Sequence, residues 1–164
     1  MAALDAAKAL VDRLAQRGLR VVLAESCTGG LISAELAKVP GVSDWLCGSA
    51  VTYRCQTKVE WLAVSAEDIQ QHTAVSSQVA SQMASGVLEK TSEASISASI
   101  TGHFGPGAPQ GFDGVVFIGV AMTNSIGVPV VDVTRYQLAK QQREERQAEA
   151  AELVLRLILE KLES

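Results

Sequence analysis

The stretch "LRVVLAESCTGGLISAELAKVPG", Leu19 to Gly41, decides the fold. "LRVVLAES" reads as a short buried strand. Two glycines follow, and a helix runs from about Thr28 to Lys38, closed by Pro40 and Gly41. A buried strand, a glycine turn and a helix in succession point to an α/β sheet with its ligand edge at the strand ends.

Working outward, the same alternation continues. Leu4, Ala7, Val11 and Leu14 mark a helix over Ala3 to Arg17, and Gly18 stops it. "GSAVTY" is a second strand, and a short helix then carries Lys58, Trp61 and Leu62. Ser65, with Asp68 three residues on, opens another helix. Ser76 or Ser77 caps the next, whose apolar face is Val79, Met83 and Val87. "ASISASIT" alternates as a strand does. "VVFIGVAM" and "VPVVDVTRYQL" flank the turn "TNSIG" as a late hairpin. The last helix runs from about Lys140 to Leu162, with Ala151, Val154, Leu155, Ile158 and Leu162 on one face. Its charged stretch, Lys140 to Glu149, reads as a solvated face. The expected fold is a three-layer α/β/α sandwich with a mixed sheet, forming a single domain over residues 1–164.

Composition narrows the function. The formal charge is -4, which provides no global basic field for nucleic acid or anionic lipid. No apolar run approaches the ~20 residues that span a bilayer. "MAALDAAKALVDRLAQRG" lacks the apolar core of a signal peptide, so a cytoplasmic location is expected. Cys27, Cys47 and Cys55 read as buried free thiols rather than a disulfide framework. With only His72 and His103, and no CxxC, zinc-ligand spacing is missing and no metal is expected.

Three segments carry candidate chemistry. In "AESCTGGL", Ala24 to Leu31, glycines let the main chain approach a ligand and free N–H groups favour an anion. A tight turn explains the same residues. "SITGHFGPGAPQGFDG", Ser99 to Gly114, is a long glycine-rich loop at a strand end, either a binding loop or a flexible crossover. His103 within it reads as a polar loop residue. In "VSDWLCGSAVTYRCQTK", Val42 to Lys58, a lysine next to an apolar strand can serve as base for a serine if burial lowers its pKa. The plain alternative is a solvated lysine, a capping serine and a core tyrosine, and the residues alone favour it.

Taken together and in this order, "AESCTGG", "VTY" with its following Lys, "AVS" and "SITG..GP" resemble the stand-alone C-terminal-domain form of the CinA (competence/damage-inducible) family. The resemblance covers nearly the whole chain. Active members are nicotinamide-nucleotide amidohydrolases, so it implies hydrolysis of the carboxamide of nicotinamide mononucleotide (NMN), giving nicotinate mononucleotide and ammonia. It implies a Ser/Lys pair assisted by Tyr, which carries over to Ser43, Lys58 and Tyr53. It places substrate contacts at Glu25, Ser26, Thr28, Gly29, Gly30, Thr101, Gly102 and Gly105, with Arg143 as a basic contact. It implies no cofactor, a small-molecule pyridine nucleotide as ligand, and a homodimer or larger homo-oligomer.

Three segments depart from the family pattern. "GIAGP" is here "GHFGP", with His103 and Phe104 expected to reshape the pocket. "SNEAK" is here "RCQTK". Where the family shows "GDR", register from "RQA" puts Gln141 at the arginine, with Lys140, Arg143 or Arg146 as substitutes. Two further readings follow: an amidohydrolase of altered substrate preference, and a non-catalytic nucleotide-binding module.

Overall fold

The computed structural model describes residues 2–164. The elements in chain order are α1 (Ala3–Arg17), β1 (Val21–Glu25), α2 (Leu31–Ala37), a 3-10 turn (Val42–Asp44), β2 (Leu46–Val51), α3 (Cys55–Leu62), α4 (Ala66–His72), α5 (Ser77–Glu89), β3 (Ile96–Gly102), β4 (Val115–Thr123), β5 (Pro129–Gln137) and α6 (Arg143–Glu163). The sheet order is β2-β1-β3-β4-β5. β1 runs parallel to β2 and β3, while β4 is antiparallel to β3 and β5. The fold is therefore the expected α/β/α sandwich with a mixed sheet. α1, α2 and α6 cover one face, and α5 covers the other with α3 and α4 beside it.

Local chemistry sets the boundaries. α2 starts at Leu31 rather than Thr28, because Gly30 takes a φ of 102° and the Glu25 carboxylate draws in the N–H groups of Ile32 and Ser33. α6 starts at Arg143 rather than Lys140, because the N–H groups of Ala139 and Lys140 donate to the Glu149 carboxylate. Ser65 and Ser76 cap α4 and α5 through side-chain oxygens that accept from Asp68 and Val79.

The alternation of "ISASIT" separates two cores. Ile96, Ala98 and Ile100 face α1 and α6. Ser97 and Ser99 face α5 and donate to the carbonyls of Ala84 and Ala80 at 2.7 and 2.6 Å, which satisfies hydroxyls that burial would otherwise penalise. Register aligns Glu25 with Val51 on one side and Ile100 on the other. The carboxyl ends of the three parallel strands thus meet at one edge, where ligands collect in open α/β sheets. Among the described residues no helix is long and apolar enough to cross a membrane.

Candidate active site

Lys58 anchors this edge. α3 carries it inward, so that only 1% of its surface is exposed. Its Nζ lies 2.6 Å from the Thr52 carbonyl, 3.4 Å from the Tyr53 carbonyl and 2.9 Å from Ser26 Oγ. Among the described residues no carboxylate forms an ion pair with it. Burial lowers its pKa, against a smaller opposing pull from the Cys55 and Cys27 thiols. If the amine is neutral, its two hydrogens can go to these two carbonyls and its lone pair can turn to Ser26 Oγ.

The serine beside Lys58 is therefore Ser26, not Ser43. Ser43 lies exposed in the 3-10 turn before β2, beside the start of β1, where Arg20 donates to the Asp44 carbonyl and the Val21 N–H to Trp45. Lys58 sits past the other end of β2, whose six residues separate the two by roughly 20 Å at ~3.3 Å each. Ser43 cannot reach it. Ser26, by contrast, closes β1, and its N–H donates to the Ile100 carbonyl of β3 at 3.2 Å. A serine at the end of a central parallel strand, before a Gly-Gly turn, was the available signal.

Tyr53 is half exposed rather than a core residue, and its hydroxyl accepts from Arg143 Nη2 at 2.9 Å. It meets Lys58 only through its main-chain oxygen. Arg143 Nη1 also donates to the Gly105 carbonyl at 2.6 Å, and its guanidinium lies 6.0 Å above the Phe104 ring centre. The first residue of α6 thus supplies the basic group at the cleft. Gln141 does not occupy that position, because it lies on the exposed segment before the helix, with its amide turned to the Ala139 carbonyl. Arg146 is not a substitute either: it is buried and donates to Phe104 O, Lys140 O and both oxygens of Asp113. It ties the glycine-rich loop to α6, so the charged stretch is not wholly a solvated face. Arg146 holds the Asp113 carboxyl below its usual range by hydrogen bonding. At Gly105, φ is 71° and a Cβ would meet Asp113 Oδ1 at 2.7 Å, so only glycine fits beneath this clamp.

A cavity of about 230 Å³ lies over Ser26 and Lys58, closed by Tyr53, Thr101, Gly102 and Arg143. A second, of about 270 Å³, adjoins it through Cys27, Tyr53, Phe104 and Arg143 and reaches Gly29 and Gln147. The Arg143–Tyr53 hydrogen bond forms the bar between them. Of the sequence-named contacts, Ser26, Thr101, Gly102, Gly105 and Arg143 line the first cavity and Gly29 the second. Thr101 spends its hydroxyl on the Ala74 carbonyl. Glu25 and Thr28 are fully buried and line neither cavity, so they cannot touch a substrate. Gly30 lines neither and instead sits at the N-cap of α2.

The two residues expected to reshape the pocket, His103 and Phe104, do face it, as do two of the cysteines. His103 lines the first cavity, packs edge-on against Phe112, and is kept toward its neutral form by burial. Phe104 is buried in the core and floors both cavities. Cys27 is buried, its thiol pushed up to about 12 by desolvation, while Cys55 is exposed at the cavity wall, contrary to a uniformly buried set. Among the described residues no three His, Cys, Asp or Glu side chains converge as metal ligands would.

Known proteins share this frame. The chain matches the CinA C-terminal domain over residues 3–162. A putative competence-damage inducible protein from Caldicellulosiruptor saccharolyticus is 47% identical over 119 residues, covering 71% of this chain and 29% of that protein. A CinA-like protein from Dictyoglomus thermophilum is 47% identical over 113 residues, covering 68% of this chain and 27% of that one. The chain thus spans less than a third of these relatives. Competence damage-inducible protein A from Klebsiella pneumoniae superposes with a TM-score of 0.91 at 28% identity, over 99% of this chain and 98% of that one. A CinA superfamily protein from Escherichia coli does so at 0.86 and 30%, over 97% and 90%.

Proposed function

The chain belongs to the CinA C-terminal-domain family, and from that premise we propose that it deamidates nicotinamide mononucleotide to nicotinate mononucleotide and ammonia. The observation that carries this reading is the buried Lys58 amine 2.9 Å from Ser26 Oγ. Pure binding does not need a buried lysine against a serine; a serine nucleophile needs an adjacent base, and a neutral lysine can be one.

The steps follow from that pair. Ser26 Oγ attacks the carboxamide carbon, and its proton passes to the Lys58 lone pair. The oxyanion that forms needs N–H donors, and the main chain around Gly102 and Gly105, which lines the cavity, is one source of them. Lys58 returns the proton to the amide nitrogen, the C–N bond breaks, and ammonia leaves. Water then attacks the Ser26 ester and gives its proton to Lys58. The ester bond breaks, Ser26 regains its hydrogen, and nicotinate mononucleotide departs. Arg143 binds the 5'-phosphate by exchanging two neutral acceptors, Tyr53 Oη and Gly105 O, for a charged one. As in the family, a homodimer or larger homo-oligomer is proposed, which sedimentation tests.

His103 on the cavity wall favours a second reading, an amidohydrolase of altered preference. Both are tested by ammonia release from NMN and from nicotinamide riboside, with the Ser26→Ala protein as control. Release from NMN that vanishes in the control supports the first reading. Release from the riboside alone supports the second. Binding of either compound without release leaves a nucleotide-binding module.

A further inference from the structure

Glu25 is buried to 0% exposure next to Ser26, and its carboxylate is surrounded by donors. One oxygen accepts from Thr28 Oγ1 at 2.7 Å and the Ile32 N–H at 3.0 Å. The other accepts from Ser49 Oγ at 2.7 Å and the Ser33 N–H at 3.2 Å. Those donors come from the turn after Ser26, from α2 and from β2. We propose that Glu25 is a positioning residue that sets the distance between Ser26 and Lys58. This rests on the reading of that pair as nucleophile and base.

The argument is one of connection. Lys58 Nζ is held by the Thr52 carbonyl, and the Thr52 N–H donates to the Glu25 carbonyl at 2.9 Å. Ser26 follows Glu25 directly. The main chain of Glu25 therefore joins the two reacting groups in a closed circuit. Its carboxylate pins the circuit to β2 through Ser49 and to α2 through two main-chain N–H groups. Among the described residues no other side-chain hydrogen bond ties the turn after Ser26 to β2. A charge with four donors is strongly held, and its neighbours are held with it.

Glutamine cannot take over this role. Each carboxylate oxygen faces one main-chain N–H, Ile32 on one side and Ser33 on the other. Whichever way a glutamine amide turns, its NH2 group meets an N–H donor that cannot rotate away. Relief requires the turn to move, and Ser26 moves with it.

The test reads Ser26 itself. A fluorophosphonate, which labels activated serines, is applied to the wild-type, Lys58→Met and Glu25→Gln proteins, with kcat and KM for NMN measured alongside. Glu25→Gln is expected to label about 10- to 100-fold more slowly per folded molecule and to lose kcat in proportion, with KM within about threefold of wild type. A purely structural role predicts a lower melting temperature with wild-type labelling and kcat per folded molecule, and that result overturns the proposal. If Glu25→Gln does not fold, Ser49→Ala is read instead, since it leaves both main-chain donors seated. Several-fold slower labelling supports the proposal, and an unchanged rate overturns it. Wild-type labelling that does not depend on Lys58 removes the pair and this proposal together. Lys58-dependent labelling without ammonia release removes only the nicotinamide reading, and the comparison of labelling rates then decides on Glu25.

Discussion

Lys58 Nζ lies 2.9 Å from Ser26 Oγ, although 32 positions separate the two residues in the chain. The contact forms because two parallel strands end side by side, and because the turn after β2 brings α3 back over the end of β1. Ser26→Ala is expected to abolish ammonia release, by at least ~10³-fold in kcat. Ser43→Ala, at the opposite end of β2, is expected to stay within about twofold of wild type, as exposed substitutions away from a site do. Steady-state assays of the two variants check this, and the reverse pattern would restore Ser43.

The pH dependence has a definite sign. A lysine can act as a base only when neutral, and burial lowers the Lys58 pKa from the ordinary lysine value. kcat/KM is expected to rise with pH through that lowered value, at a pH below the ~10.4 of a free lysine. Stability follows the same direction. Between the lowered pKa and the ordinary one, the unfolded chain holds the Lys58 proton and the folded chain does not, so unfolding free energy rises with pH. Cys27 and Cys47, whose burial raises their pKa values, oppose this on the alkaline side. Urea unfolding of wild type and Lys58→Met across pH isolates the lysine's part: the rise should be present only in wild type.

Arg143 is the basic group of the cleft, with Tyr53 Oη and Gly105 O as its acceptors. Arg143→Gln is expected to raise KM for NMN by about 10- to 100-fold, the worth of a charge-assisted contact of about 1.5–3 kcal/mol. KM for nicotinamide riboside, which has no phosphate, should barely change. Gln141→Ala should alter neither. An Arg143→Gln protein equally impaired on both substrates would assign the arginine to holding Tyr53 rather than to the phosphate.

Thr52 is fully buried, and its hydroxyl has no hydrogen-bond partner among the described residues. Its carbonyl and N–H carry the contacts to Lys58 and Glu25. Thr52→Val replaces an orphaned hydroxyl by a methyl of similar shape and leaves the main chain in place. It is expected to stabilise the protein by about 1 kcal/mol in chemical unfolding. A loss of stability would show that the hydroxyl is satisfied in solution.

Much of this was legible in the sequence. The layers came from helical and alternating periodicity, because burial on one face imposes those periods on any element. The serines of "ISASIT" fit a strand, but only the structure shows that they meet α5 carbonyls. Lys58 stood out as a lysine next to an apolar strand, and the structure buries it. Its partner is Ser26 rather than Ser43: the resemblance was carried over by spacing along the chain, and chain separation says little about distance across a parallel sheet. Arg143 was obscured in the same way: counting from "RQA" led to Gln141, whereas Glu149 unwinds the preceding segment and makes Arg143 the first residue of α6.

By itself the sequence determined the residue types, the order of the elements and the edge at which chemistry gathers, since these depend on local pattern and on glycine at turns. Which serine meets Lys58, that Glu25 is sealed beneath the site rather than open to it, and that Arg143 bars the cleft were decided only by tertiary structure. Those facts depend on strand register and on through-space hydrogen bonds between elements distant in the chain. Local sequence pattern does not encode distances of that kind.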